Sequence, residues 1–305
     1  MTDLLNPIFT NEEAAIDHCE ADRWPNGVVC PHCGSVSVHK MGGKTQAGMF
    51  LCNDCRDKFT VRTGTVFARS HIPLHKWLLA MHLMASSKKG ISAHQLWRML
   101  GFGSYRTAWF MAHRIREAMG DSNPEPMGSG GGTVEADETY IGRKPGRKKA
   151  RGVGHKMAVL SLVERGGRAR SFVITEFDGK TLSDILEKNV SKQANLRTDE
   201  YPTYKQYGHH FASHETVNHS KEEYVRGDAH TNTIEGYFSV FKRGMRGTYQ
   251  HCSEQHLQRY MNEFDFRHSN RVALGVDDNT RANRILKGAE GKRLTYRPAN
   301  RSEGQ

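Results

Sequence analysis

No run of some 18 apolar residues occurs in the 305-residue chain, so nothing in it is expected to span a membrane. The opening MTDLLNPIFTNEEAA carries acids and has no basic segment followed by an apolar core, so no secretory signal is read there. Cysteine is sparse. Six in a chain of this length do not make a disulfide scaffold, and four of them pair as CxxC, which suits a reducing cytoplasm. Acids are in the minority, 33 against 44 Lys and Arg, leaving a net charge of +11 and a pI near 9.4. That balance favours a polyanionic partner, nucleic acid or a membrane surface, over a merely soluble basic protein. Internal repeats are also lacking, so the chain is read as two or three distinct domains.

The positive signals begin with Cys30-Pro-His-Cys33-Gly and Cys52-Asn-Asp-Cys55, two CxxC pairs separated by 18 residues. This spacing reads as a four-thiolate structural zinc site with ligands Cys30, Cys33, Cys52 and Cys55. The residues between suit a strand, a Gly-Gly turn and a strand, a zinc ribbon, with Trp24 packed beneath it. Cys19 and Cys252 stand alone as ordinary thiols.

Three helices are expected next: Leu74–Ser86, then Ala93–Leu100 capped by Ser92, then Tyr105–Met119 capped by Ser104. A short helix, a Gly-containing turn and a longer basic helix form a helix-turn-helix layout. In it, Tyr105, Arg106 and Thr107 face the major groove, and Arg114 and Arg116 further along reach phosphates. A plain three-helix bundle would have the same core. DSNPEPMGSGGG, residues 121–132, reads as a flexible linker.

Beyond it the pattern turns to strands. Residues 133–141 alternate, and a basic loop comes next with Arg143, Lys144, Arg147, Lys148, Lys149 and Arg151, read as phosphate contacts. A hairpin closes at Gly166-Gly167. A helix carries Leu182, Ile185, Leu186 and Val190 on one face, and a short strand ends at Asp199, with Pro202 closing off regular structure there. SHETVNHS is a further strand. Then DAHTNTIEGYFSVFKRGMRG gives a helix from Asn232 to about Gly247, N-capped by Thr231, with an apolar stripe of Ile234, Tyr237, Phe238, Phe241 and Met245. A second line on it holds Asn232, Glu235, Ser239 and Lys242. A last amphipathic helix starts after Ser253.

This order is α/β with a mixed sheet, matching a ribonuclease H-like fold. Divided accordingly, 1–65 is the N-terminal segment and zinc ribbon, 66–122 the all-α helix-turn-helix domain, 123–132 the linker, 133–275 the catalytic domain and 276–305 a basic tail, read as loosely ordered or as an arm tracking DNA. Side by side, the first and fourth strands would bring Asp137 and Asp199 together, and the helix would lower Glu235 towards them. Such acids hold Mg²⁺ or Mn²⁺ for phosphoryl transfer, two ions about 4 Å apart. Lys242 and Arg243 would then touch the DNA backbone, and Asn232 can ligate or position a phosphate. Glu135 and Glu138 flank Asp137, and alternation puts Glu135 on the same face. His219, His230 and Asp228 read as structural hydrogen-bonders.

VEADETYIGRK, TDEYPTYK and HTNTIEGYFSVFKRGMRGTYQH, in this order behind CPHCG, resemble bacterial insertion-sequence transposases, specifically the zinc-ribbon group of insertion-sequence family fifteen-ninety-five. The resemblance runs from about Trp24 to Arg271. It implies a DDE transposase that binds terminal inverted repeats in double-stranded DNA, nicks the transposon ends and joins the free 3′-hydroxyls to target DNA. It further implies a homodimer or larger assembly on DNA, in the bacterial cytoplasm at the nucleoid. Asp137 and Asp199 match the two aspartates and Lys242 the trailing lysine. Glu235, seven residues before that lysine, is favoured as the third acid over Asn232. The alternative is a non-enzymatic zinc-ribbon, helix-turn-helix DNA-binding regulator, which would not need the acid trio.

Overall fold

The computed structural model describes residues 4–43, 47–121, 124–176, 178–217, 225–226 and 229–295, and the chain forms two compact units. The first comprises residues up to Ser87, Ile91–Met119 and the chain from Asp277 onward. It opens with α1 (Glu12–Arg23), whose first turn is capped by the Asn11 side chain accepting from Ala14 N at 3.0 Å. Three short antiparallel strands come after it, β1 (Val38–Lys40), β2 (Met49–Cys52) and β3 (Lys58–Thr60). Phe50 and Phe59 stack at 5.5 Å, and the Trp24 ring meets both edge-on, so the expected packing beneath the ribbon holds for Trp24.

Three helices come next, α2 (Leu74–Ser86), α3 (Ala93–Met99) and α4 (Tyr105–Met119), within a residue of the expected bounds. The reason is local. In α2, Leu74, Trp77, Leu78, Met81 and Met84 recur at helical spacing and are all buried. Ser92 Oγ accepts from Gln95 N at 3.1 Å to start α3. Gly101, at φ +62°, takes the left-handed conformation just after α3 that side chains resist.

The tail differs from the sequence reading. Asp278–Lys287 is a helix, capped by the Asp277 side chain accepting from Thr280 N at 2.7 Å, and it packs on α2. Its inner face is Ile285, Leu286 and Arg281, and the buried Arg281 donates to Ala85 O at 2.8 Å. A stripe that counts an arginine among its buried members has no visible apolar period.

The second unit spans Gly120–Val276 with Lys88–Gly90. Its sheet contains β4 (Thr133–Ile141), β5 (Met157–Glu164), β6 (Ala169–Ile174), β7 (Asn195–Thr198) and β8 (Ser213–Thr216), in the order β6-β5-β4-β7-β8. The β6-β5 and β5-β4 pairs are antiparallel, and β4-β7 and β7-β8 are parallel. It is therefore a mixed α/β sheet, with the first and fourth strands adjacent as expected. One face packs Leu160, Leu162 and Leu196 against α5 (Gly179–Asn189) and Tyr204 of α6 (Pro202–Tyr207). The other packs Met157, Val159 and Val163 against α7 (Asn232–Gly244) and α8 (Glu254–Ser269). Alternate residues of β5 feed the two cores, which is why the strand reads as nearly continuous apolar sequence.

Three expectations need correction here. Pro202 does not end structure; it opens α6 at the first turn, where its missing N–H costs nothing. Residues 124–132 are not a free linker. Met127 is fully buried and bonded to Asn189 and Ser191, and a Cβ on Gly128 would collide with Ala194 and Val134. The α7 helix stops at Gly244 rather than Gly247 and continues as a π-turn, Met245–Tyr249. Among the described residues, no helix is long and apolar enough to cross a membrane.

Candidate active site and zinc site

In the first unit, Cys30, Cys33, Cys52 and Cys55 converge, with all four sulfurs within 4.8 Å of one another. Cys30 and Cys55 are 3.7 Å apart and Cys33 and Cys52 3.6 Å. Four sulfurs at about 2.3 Å from a tetrahedral zinc stand roughly 3.8 Å apart, so the residues fit that ion without rearrangement. Gly34, at φ +78°, and Arg56, at φ +63°, each turn the chain just after a CxxC pair.

In the second unit, the parallel register pairs Ala136 with Thr198. One residue further, Asp137 and Asp199 stand side by side where β7 ends. Their carboxylates and that of Glu138 have oxygens all within 4.8 Å of one another. Burial pushes Asp137 up to about 8, with the charges of Glu138, Asp199 and Glu235 adding to it. Burial and then Asp199 push Glu138 up to about 7. The fully buried Tyr204 of α6 donates its hydroxyl to Glu138 Oε2 at 3.2 Å. Asp199 Oδ1 accepts from Tyr201 N at 3.0 Å, so this acid also steadies the start of α6.

Glu235 stands on the first turn of α7, exposed, with Thr231 Oγ1 donating to it at 3.2 Å. Its charge reaches Asp137, but its oxygens lie outside the mutually close set. Asn232 is exposed one turn earlier. Lys242, half-buried, lies two turns on, its ammonium 5.9 Å from the Phe238 ring centroid.

The sequence did not distinguish what Glu135 does. Its side chain is fully buried and points at α7. It accepts from Arg165 Nε at 2.7 Å, Thr233 Oγ1 at 2.9 Å and Ile234 N at 2.9 Å. Arg165 also donates to His230 O at 2.9 Å. Thr231 occupies the cap position without making a side-chain cap bond, so a carboxylate from β4 caps α7 instead and fixes it to the strand bearing Asp137. His219 and Asp228 lie outside the described residues.

Of the residues expected on DNA, Tyr105 and Arg106 are exposed and Thr107 half-buried at the start of α4. Arg143, Arg147, Lys148, Lys149, Arg151 and Arg243 are exposed, while Lys144 donates to Thr175 O at 2.8 Å. Arg114 is a correction. Its guanidinium turns inward and donates to Val66 O, Ala68 O and Leu294 O at 3.0–3.2 Å. Arg116 is 1% exposed and equally unable to reach a phosphate. Both sit on the buried side of α4, and for Arg114 three backbone carbonyls take the place of water as partners of the guanidinium.

Acids pressed together in a chain of net charge +11 point to a polyanionic substrate handled through cations, and so to the nuclease and transposase class. Residues 130–269 match the ISXO2-like transposase domain, and residues 10–58 match the transposase zinc-ribbon domain. Over 276 residues the chain is 30% identical to an uncharacterized protein in transposable element ISH50 of Halobacterium salinarum, covering 85% of this chain and 91% of that protein. The chain belongs to the ISXO2-like family of insertion-sequence transposases.

Proposed function

We propose that the protein is a DDE transposase that binds the inverted repeats at the ends of its element, nicks them, and joins the freed 3′-hydroxyls to target DNA. The observation that carries this reading is the meeting of Asp137, Glu138 and Asp199 where β7 ends beside the middle of the adjacent parallel strand β4. The strand order β6-β5-β4-β7-β8, antiparallel then parallel, supports a ribonuclease H-like fold. The donors fit Mg²⁺ or Mn²⁺, since they are hard carboxylate oxygens whose mutual repulsion a divalent ion relieves. When bound, a pair of such ions activates the attacking hydroxyl and stabilises the leaving 3′-oxygen.

The chain's own groups do the positioning. Asp137 and Asp199 hold the ions, with Glu138 beside them and Tyr204 orienting it. Glu235 closes the site from α7, and Asn232 is the neutral alternative in that role. Lys242 and Arg243 hold the DNA backbone two turns on. The three helices α2–α4 act as a helix-turn-helix with Tyr105, Arg106 and Thr107 at bases, and the cations of 143–151 track phosphates. Two ends must be brought together, so the working form is a dimer or larger assembly on DNA.

The test is strand cleavage and joining of labelled transposon-end duplex with Mg²⁺ or Mn²⁺, beside Asp137→Ala, Glu138→Ala and Asp199→Ala. Activity in the wild type and loss in Asp137→Ala and Asp199→Ala is expected. Equal cutting by all, or equal inertness on the correct ends, refutes the metal-site reading. A non-catalytic regulator would give the second result with DNA binding intact.

A further inference from the structure

Past Lys242, the chain does something that neither the carboxylate site nor the apolar stripe of α7 requires. It runs by Gly247, a natural stop, through the π-turn Met245–Tyr249, and reaches Gln250 at φ +58°, ψ −52°. Gln250 N bonds back to Met245 O at 2.8 Å to close this turn. A π-turn and a non-glycine residue at positive φ are both unfavourable, and such strain gathers where a side chain must be presented to a ligand. Gln250 is presented to a cavity of about 270 Å³. Met157 and Met245 of the α7-side core, with the half-buried Ile141 packed against it, supply apolar lining. Lys156, Lys242 and Arg246 supply three cations, and the described lining contains no acid.

We infer that this cavity binds a single unpaired nucleotide of the DNA strand that passes the carboxylates, an inference that rests on the transposase reading above. Cations alone would suit any phosphate. Thioether and aliphatic lining beside an amide suits a base as well, since methionine sulfur packs favourably on aromatic rings and a glutamine amide pairs with a base edge. The volume falls just under the roughly 300–1,000 Å³ of small-ligand pockets, which admits one nucleotide and no duplex. The position is consistent. Ile141 is four residues along β4 from Asp137, about 13 Å at ~3.3 Å per residue. Lys242 is seven residues along α7 from Glu235, about 10 Å at 1.5 Å per residue. At about 3.4 Å per step, the pocket lies some three to four nucleotides from the reacting phosphate. A nucleotide drawn out there would be held by its phosphate on Lys156, Lys242 and Arg246 and by its base on Gln250 and the methionines.

The experiment measures affinity of the full chain, in EDTA so that cleavage plays no part, for three duplexes. One is fully paired, one carries a single bulged nucleotide, and one carries an abasic residue in the same bulge. The wild type is expected to bind the bulged base about ten-fold more tightly than the abasic bulge. Gln250→Gly removes the amide and relieves the backbone, so its melting temperature should equal or exceed that of the wild type while the ten-fold preference falls towards one. Lys156→Ala with Arg246→Ala should weaken both bulged duplexes alike and keep their ratio. Equal wild-type affinity for base and abasic bulges overturns the pocket and leaves the transposase reading standing. So does a preference that Gln250→Gly retains. A chain that binds none of the duplexes refutes both.

Discussion

Asp137→Asn should make the metal-free protein more stable, although it removes a residue at the centre of the proposed active site. The cost it relieves comes from the carboxyl's environment. In the unfolded chain it ionises near 3.8, and in the fold it is pushed up to about 8 by burial and by Glu138, Asp199 and Glu235. At pH 7 the interval from 3.8 amounts to roughly 4 kcal/mol at ~1.36 kcal/mol per pH unit, an upper bound. Water reaching this half-buried group, and neighbours that take up the proton in its place, reduce the net effect to about 2 kcal/mol. Between pH 3.8 and 8 the folded chain holds a proton that the unfolded chain has released, so this group's contribution falls as pH rises through that window. The advantage of Asn therefore grows from pH 5 to pH 8. For a unit of this size it corresponds to about 4–8 °C in melting temperature. Thermal melts monitored by circular dichroism in EDTA would measure it. Added Mn²⁺ should reverse the ranking, because the wild type gains about 2.7 kcal/mol at a hundred times its dissociation constant while the variant gains little. An Asn variant no more stable than wild type in EDTA at pH 7, or one equally stabilised by Mn²⁺, would refute the reasoning.

Three further outcomes are expected. Glu135→Ala leaves Arg165 and the first turn of α7 without their buried carboxylate and should cost about 3–5 kcal/mol in urea unfolding, so a loss below 1 kcal/mol would show that the helix is not pinned there. Arg114→Ala should destabilise by roughly 2–4 kcal/mol through its three carbonyl partners while leaving the salt dependence of DNA binding unchanged, and Arg106→Ala should do the reverse; the opposite pattern would return Arg114 to the DNA. The third concerns acid. Burial lowers His268 to about 4, so its contribution is lost as pH falls from 6.5 to 4, whereas burial raises Asp265 to about 6, so its contribution is lost as pH rises from 3.8 to 6. The two oppose each other between pH 4 and 6, and His268→Gln should unmask a stability that increases on acidification by up to about 1 kcal/mol per pH unit; parallel profiles for the two proteins would contradict it.

Where sequence reasoning succeeded, local chemistry had decided the outcome. Ser92 caps its helix by a bond to the residue three positions on, and β4 covers the same residues, 133–141, whose imperfect alternation suits a strand. Where it failed, partners distant in sequence had decided. In α1 only Ala15 and Cys19 are buried, too few for a visible stripe. The Asp278–Lys287 helix buries an arginine against Ala85 O, and Arg114 turns to carbonyls near 66 and 294. The acids show the same limit most sharply. Glu135 and Asp137 share a face of β4, yet one caps a helix nearly a hundred residues away and the other meets Asp199. Alternation assigns a side chain to a face, and cannot say what stands opposite it.

The Asp278–Lys287 helix has a further consequence, for the order in which the protein comes into being. It completes the core around α2, yet it is made only after the whole sheet of the second unit has been synthesised. At about 5–20 residues per second, a nascent chain carries an unfinished ribbon-and-helix unit for the many seconds in which Gly120–Val276 emerges. A polypeptide broken off anywhere in that interval lacks the piece that closes its own first unit. Interrupted synthesis would thus leave no stable fragment of the first unit behind.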